Sequence, residues 1–328
     1  MKKLYYIFAI AAVAAVACTK NAGVESAEPV DSFTLSMGDV QLDDETKTEL
    51  ILDGGKYNKL VWSAGDKVYV TKKSLAESVS PLPYAIYETS KDKVVRADFN
   101  LAGGDDISAG TGKYLVAYTS PIDYGQYSGE AMVRITSSSG NNYILLSTPV
   151  NQTYVANGIG QGVMPMVGVG TTLENVQLHC AGNILRFNLY NSQTASKTIK
   201  ITKIVLKGDT QYLSFIGGAI AVYVDADGYS FGDIYGTFSN AQRSSRTVTL
   251  NCGTGVQLGA TATPFNVVIS ACVGAGSLIG YLSATIYYTV NGGAEQTYGP
   301  VELTNLPGGK RKSFGHIYSF TAKDVSAF

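Results

Sequence analysis

Short apolar runs, broken every few residues by glycine, asparagine or aspartate, constrain this chain more than any other feature. Phe33-Thr34-Leu35-Ser36-Met37 alternates apolar with polar residues, and a tight Gly65-Asp66 turn leads into a new strand at 67–70. A period of two puts successive side chains on opposite faces of a strand. Further strands are expected at 46–52, 84–88, 94–101, 114–118, 132–136 and 143–146. Beyond residue 169 they are expected at 176–180, 183–190, 199–206, 219–224, 247–251, 265–271, 281–290 and 314–322. Asn291-Gly292-Gly293 reads as a hairpin turn between 284–290 and 296–301. Outside the N-terminus no 11-residue stretch keeps a helical period. The fold class expected is therefore all-β, built as sandwiches.

Composition agrees with that expectation. The chain has 328 residues, 36 of them glycine and 22 tyrosine. Charged residues make up 16%, and the net charge is −1. No basic excess points to nucleic acid. After residue 18 no run of 18 apolar residues occurs, so no transmembrane helix is expected.

The N-terminus reads MKKLYYIFAIAAVAAVAC. Lys2 and Lys3 give a positive start, the apolar run from Leu4 to Ala14 follows, and Ala15-Val16-Ala17 are small. This is the layout of a secretory signal. A cysteine directly after small residues resembles a bacterial lipobox, with Ala15 where leucine is commoner. That resemblance implies cleavage between Ala17 and Cys18 and acylation of the Cys18 thiol. The plainer alternative is an ordinary signal with a chance cysteine. Each buried methylene adds about 0.8 kcal/mol of membrane affinity, so several acyl chains would anchor the protein stably.

The domains expected are a signal at 1–17, a lipid-anchored tether at 18–31 and two tandem sandwiches, 32–168 and 169–328. The tether carries small residues with Glu25, Glu28, Pro29 and Asp31. Val169-Gly170-Thr171-Thr172 reads as the link between sandwiches. The remaining cysteines are Cys180, Cys252 and Cys272. Buried free thiols are favoured, although Cys252 and Cys272 could pair.

The search for reactive chemistry finds little. His179 and Cys180 are adjacent on a strand, so their side chains face opposite ways, and His316 is distant in sequence. The 110–113 stretch, Gly-Thr-Gly-Lys, lacks the early glycine of a phosphate loop, and Tyr114 stands where Ser or Thr is required. Ser90-Lys91-Asp92-Lys93 has no companion motif. Asp225-Ala226-Asp227-Gly228 lacks the spacing of a calcium loop and its terminal glutamate. Trp62 and the tyrosines offer apolar faces with polar edges, which suits core packing or a glycan-stacking surface. No catalytic residue, metal site or cofactor is implied.

Several stretches resemble the fimbrillin family of Bacteroidota, the type V pilins and their fimbrillin-like relatives. Trp62-Ser63-Ala64-Gly65-Asp66-Lys67-Val68-Tyr69-Val70 is similar to the family segment W-x-x-G-D-x-I-x-V. Thr46-Lys47-Thr48 ahead of an apolar strand, the 84–99 strand pair, Pro165-Met166-Val167-Gly168 and the 178–187 stretch resemble further family segments in the same order. The resemblance implies two transthyretin-like β-sandwiches exported as a lipoprotein. It also implies assembly by donor-strand exchange after an arginine-specific protease removes the N-terminal strand. An incoming segment then satisfies the open backbone groups and apolar pockets.

The chain departs from that pattern at the cleavage step. Its first arginine is Arg96, inside the first sandwich, and only Lys20, Lys47, Lys56 and Lys59 lie between Cys18 and Trp62. Either cutting falls at Lys47-Thr48 or the N-terminal strand stays. The C-terminal run with Phe314, His316, Tyr318 and Phe320 is the candidate donor strand, and an intramolecular last strand is the equal alternative. The function expected is a surface lipoprotein of the outer membrane, a pilus subunit or its anchor, supporting adhesion. Its partners would be the membrane, other fimbrial subunits and a host or bacterial surface ligand, with no nucleic acid. A lipid-anchored glycan- or ligand-binding protein of a nutrient-uptake system is the alternative. An enzyme is not expected.

Overall fold

A computed structural model describes residues 30–36, 41–42, 60–76, 81–122, 128–136, 142–208, 216–224, 229–230, 246–270, 282–303 and 316–328. The protein is all-β. The described helices are a four-residue turn, α1 (Lys73–Ala76), and a 3-10 turn at Leu173–Asn175.

The strands begin with β1 (Ser32–Ser36), β2 (Gln41–Leu42), β3 (Lys67–Lys72), β4 (Ala85–Glu88), β5 (Arg96–Gly104), β6 (Tyr114–Tyr118) and β7 (Val133–Thr136). They continue with β8 (Asn142–Thr148), β9 (Asn151–Thr153), β10 (Met166–Gly170), β11 (His179–Cys180), β12 (Gly182–Tyr190), β13 (Ile199–Gly208) and β14 (Gly218–Val224). The last are β15 (Tyr229–Ser230), β16 (Thr247–Gln257), β17 (Thr263–Ser270), β18 (Leu282–Val290), β19 (Glu295–Glu302), β20 (His316–Ser319) and β21 (Lys323–Asp324). The strand expected at 46–52 lies outside the described residues.

Four sheets result. The first has the order β1-β5-β4-β3-β6-β10-β11. It curls around the first core, where Phe33, Leu35, Val68, Val70, Tyr87, Phe99, Val116 and Met166 meet. The second sheet runs β17-β12-β20-β2, with β21 also on β12. Its side chains alternate between two cores. Ile184, Val268 and Ile317 enter the first core, whereas Leu185, Val267, Ile269 and Tyr318 enter a second. The third sheet, β19-β18-β13-β16-β9, closes that second core with Ile204, Leu206, Val248, Leu250 and Ile286.

The fourth sheet, β15-β14-β8-β7, covers the outer face of the first. Ile144, Leu146 and Val222 pack there on Tyr69, Leu115, Ala117 and Val167. The centre of β6 is thus buried on both faces, which explains why Leu115-Val116-Ala117 is an unbroken apolar run. β7 and β8 precede residue 168 and β14 and β15 follow it, so this sheet draws on both sides of the expected boundary.

Two local features show how sequence and register fit. In β13, Ile199, Ile201, Ile204 and Leu206 are all buried although alternation breaks after Ile201. A bulge between Ile201 and Lys203 absorbs the extra residue and returns Ile204 to the inner face. The stretch read as a link begins inside β10. Gly168 is required there, because a Cβ would sit 2.4 Å from the Gln177 carbonyl oxygen of the returning chain.

Candidate functional site

The candidate site is the seat of β1. This strand is the edge of the first sheet and pairs antiparallel with β5, Phe33 opposite Phe99 and Leu35 opposite Ala97. Its alternation sends Phe33 and Leu35 into the core, where they are 4% and 0% exposed, and leaves Thr34 and Ser36 outside. Each buried side chain contributes about 1.5–3 kcal/mol relative to exposure.

Aromatic rings build the two pockets. Phe33 meets Tyr87 edge-on at 4.7 Å between centroids and lies over Phe99 at 6.1 Å. Trp62 meets Phe99 at 4.8 Å and Tyr118 at 5.3 Å, both edge-on. Trp62 is held by main-chain bonds to Val94, and its indole N–H donates to the Leu35 carbonyl at 3.2 Å. The Tyr87 hydroxyl donates to the Val30 carbonyl at 2.7 Å, and the Leu101 N–H donates to the Asp31 carbonyl. Burial pushes the Tyr87 hydroxyl up to about 12, so it stays a donor at any physiological pH. β1 is therefore held by its own ladder and by two aromatic side chains that reach main-chain oxygens of the N-terminal segment.

Behind Trp62 the Gly65-Asp66 turn is fastened by a buried carboxylate. Asp66 accepts from the Ser63 N–H at 2.7 Å and from the Tyr118 hydroxyl at 2.7 Å. The same hydroxyl accepts from the Gly162 N–H at 2.7 Å. Burial raises the Asp66 pKa, and the bonds from Ser63, Tyr118 and Gln161 partly offset it. Tyr118 is held far above its ordinary value, first by burial and then by the Asp66 charge. The Trp62–Asp66 motif thus frames the β1 pockets.

A second part of the site lies one short step along the chain. β2 pairs parallel with β20, Gln41 opposite His316 and Leu42 opposite Ile317. β20 in turn pairs parallel with β12, Ile184 opposite Ile317 and Leu185 opposite Tyr318. β1 and β2 therefore lie at the edges of two different sheets.

The residues singled out from the sequence fall as follows. His316 is in β20, Tyr318 is buried in the second core, and Phe320 stacks on Phe187 at 4.8 Å. The C-terminal run is thus an in-chain strand here. Phe314, Ala17, Cys18, Lys47, Thr48, Cys272 and the 225–228 turn lie outside the described residues. His179 is exposed while Cys180 is buried. Cys252 is a buried free thiol that burial pushes up to about 12. The 110–113 loop is tied to α1, with the Thr111 N–H donating to Ser74 and the Lys73 N–H to the Lys113 carbonyl. Among the described residues no three His, Cys, Asp or Glu side chains converge.

A cavity of about 240 Å³ opens beside Val30, lined by Lys72, Tyr87, Leu101, Ile107 and Tyr114 among others. Its nearby Asp106 is engaged with the Ser108 N–H. As it stands the site is closed: β1 pairs with the β5 edge and fills the apolar pockets with Phe33 and Leu35.

Solved structures resembling this one include a fimbrial protein of Bacteroides vulgatus. It is 14% identical over 90% of this chain and 96% of that chain, with a TM-score of 0.38. A candidate cell adhesion protein of Bacteroides ovatus is 10% identical over 81% of this chain and 84% of that one, with a TM-score of 0.40. A similar candidate from Bacteroides fragilis is 12% identical over 90% and 94%, with a TM-score of 0.37. No protein-family model and no curated protein matches the chain.

Proposed function

We propose that this protein is a fimbrillin-like subunit of the cell surface, held to the outer membrane through lipid on Cys18, that supports adhesion and assembles by strand exchange. The observation that carries the reading is β1. It is an N-terminal edge strand with two side chains plugged into a preformed aromatic core. Removing such a strand leaves a ladder of open N–H and C=O groups and two apolar pockets, which an extended segment satisfies in full. The signal-like N-terminus ending at Cys18, and the Trp62–Val70 stretch resembling fimbrillins, support the same reading.

The test is made on cells. Surface-exposed wild-type protein should stay with the outer membrane and run as detergent-resistant ladders or visible filaments. Cys18→Ser should release it to the soluble fraction. Wild-type protein that is monomeric at the surface, or membrane retention unchanged by Cys18→Ser, counts against the assembly and the lipid parts respectively. Sequencing the mature N-terminus separates the two fates of the N-terminal strand: a start near Thr48 means cutting at Lys47, and a blocked Cys18 means the strand stays.

A further inference from the structure

We propose that β1 and β2 are the exchanged strands: in the assembled state, the seat on β5 and β20 of one copy is filled by β1 and β2 of a second copy, without proteolysis. This rests on the strand-exchange reading above and names the donor. The argument begins with direction. Residues 32–36 run antiparallel to β5, and residues 41–42 run parallel to β20. A segment replacing both must therefore run as β1 and β2 run and span both edges. It must also place apolar side chains two residues apart, where Phe33 and Leu35 sit. A second copy of the same segment meets every requirement by identity, and each bond it forms equals the one it left.

The C-terminal segment does not meet them. β20 is one wall of the seat, because β2 lies on it. Ile317 fills the first core and Tyr318 the second, 1% and 4% exposed. Further on, Val325 is 1% exposed, and Phe328 lies flat on Tyr298 at 3.7 Å between centroids. Sending this run to a neighbour would take down a wall of its own copy's seat and open both cores.

Reach and trigger fit as well. Residues 43–59 join β2 to the next described residue, Leu60. Extended, they span about 55 Å, enough to carry β1 and β2 to an adjacent molecule. The chain has no arginine before Arg96, and an exchange of this kind needs no cut. Copies tethered to one membrane through Cys18 would meet at a higher effective concentration than free copies, which raises the exchanged fraction relative to free solution.

Thr34 and Asp98 give the test. They stand opposite each other on the solvent face, and the Thr34 hydroxyl donates to Asp98 at 2.7 Å. Full-length Thr34→Cys and Asp98→Cys chains, carrying tags of different size, are co-expressed and oxidised on the cell surface, with the parent chain as the baseline for its own cysteines. The result expected is a disulfide-linked species containing both tags, absent from the parent pair, and a ladder from the Thr34→Cys/Asp98→Cys double variant. An intrachain link in the double variant, with no mixed-tag species from the singles, overturns the proposal. So does a mixed-tag species between Asp98→Cys and a cysteine at the exposed Thr321 or Ala322, because the donor is then C-terminal. Wild-type ladders without the Thr34–Asp98 cross-link sink this donor and leave strand exchange standing. A monomeric wild type sinks both.

Discussion

The Gln152 side chain stands in for a strand opposite Val268. Its Nε2 donates to the Val268 carbonyl at 2.6 Å, and its Oε1 accepts from the Val268 N–H at 2.9 Å. One amide thus satisfies both main-chain groups of Val268 on the outer side of β17, an edge strand of the second sheet. Gln152 reaches it from β9, which lies parallel on β16 in the third sheet. The contact ties two sheets together and covers the β17 edge at Val268, where an open N–H and C=O would be free to pair.

Gln152→Ala should therefore cost about 1–3 kcal/mol, the penalty for leaving buried main-chain groups unpaired. The measurement is the urea midpoint at unchanged slope. Size-exclusion chromatography at rising concentration should also show self-association of the variant. A midpoint within error of wild type would mean that another group covers Val268.

The β1 seat makes a graded prediction. Leu35→Ala should cost about 2–5 kcal/mol and Phe33→Ala about 3–5, because both leave cavities in a packed aromatic core. Thr34→Ala, on the outer face, should change stability by about 0.5 kcal/mol at most. Trp62 is the single tryptophan of the chain and donates to the Leu35 carbonyl. Its emission should shift to the red when β1 is displaced. Equal effects at all three positions would contradict the register.

Asp66 gives the pH dependence. Burial raises its folded pKa above the unfolded value. The folded state then holds the proton over a window that begins near the unfolded value and ends at the higher folded one. Its contribution to stability is fully present below that window and is lost as pH rises through it. Asp66→Asn keeps the acceptor for Ser63 and cannot ionise. The stability of wild type relative to this variant should fall as pH rises from the ordinary carboxylate range through the raised folded value. A difference that is flat or rises across that span would show that the bonds from Ser63 and Tyr118 outweigh burial.

Phe328 closes the C-terminal run on Tyr298 and meets Tyr288 edge-on at 5.8 Å. Phe328→Ala should loosen this end, with β20 and β21 amides exchanging faster while the first sheet keeps its protection. The Lys197 ammonium, which donates to the Ser326 carbonyl at 2.7 Å, should hold part of the run in place. Uniform acceleration across all sheets would mean that the C-terminal run is part of the global unfolding unit.

Much of the strand inventory was legible in order. Residues 114–118 and 183–190 were expected as strands and are β6 and the body of β12. The Asn291-Gly292-Gly293 turn is also where it was expected, with Asn291 and Gly292 at positive φ of 51° and 72°, a conformation that asparagine and glycine adopt more readily than other residues. The polar strand β9, Asn-Gln-Thr, left no trace in the sequence, because three polar residues on an edge carry no apolar alternation. β16 runs to Gln257, past the expected end at 251. Its register against β13 shifts at the bulge, and glycines 253 and 255 disguise the continuation. Of the site, Trp62 was legible as a core residue. Its role as a clamp on Leu35 was not, since 27 residues and a sheet separate them.

Taken alone, the sequence determined that the fold is all-β, placed turns such as Asn291-Gly292, and set the inward face of β1. Alternation and turn chemistry are local, so neighbouring residues suffice to encode them. Only the tertiary structure decided which strands are neighbours. It placed one sheet between two cores, laid β9 parallel on β16, and set β1 and β2 on the edges of two different sheets. An apolar face specifies that a strand must be covered but not by what, and that choice is made by packing across the whole chain.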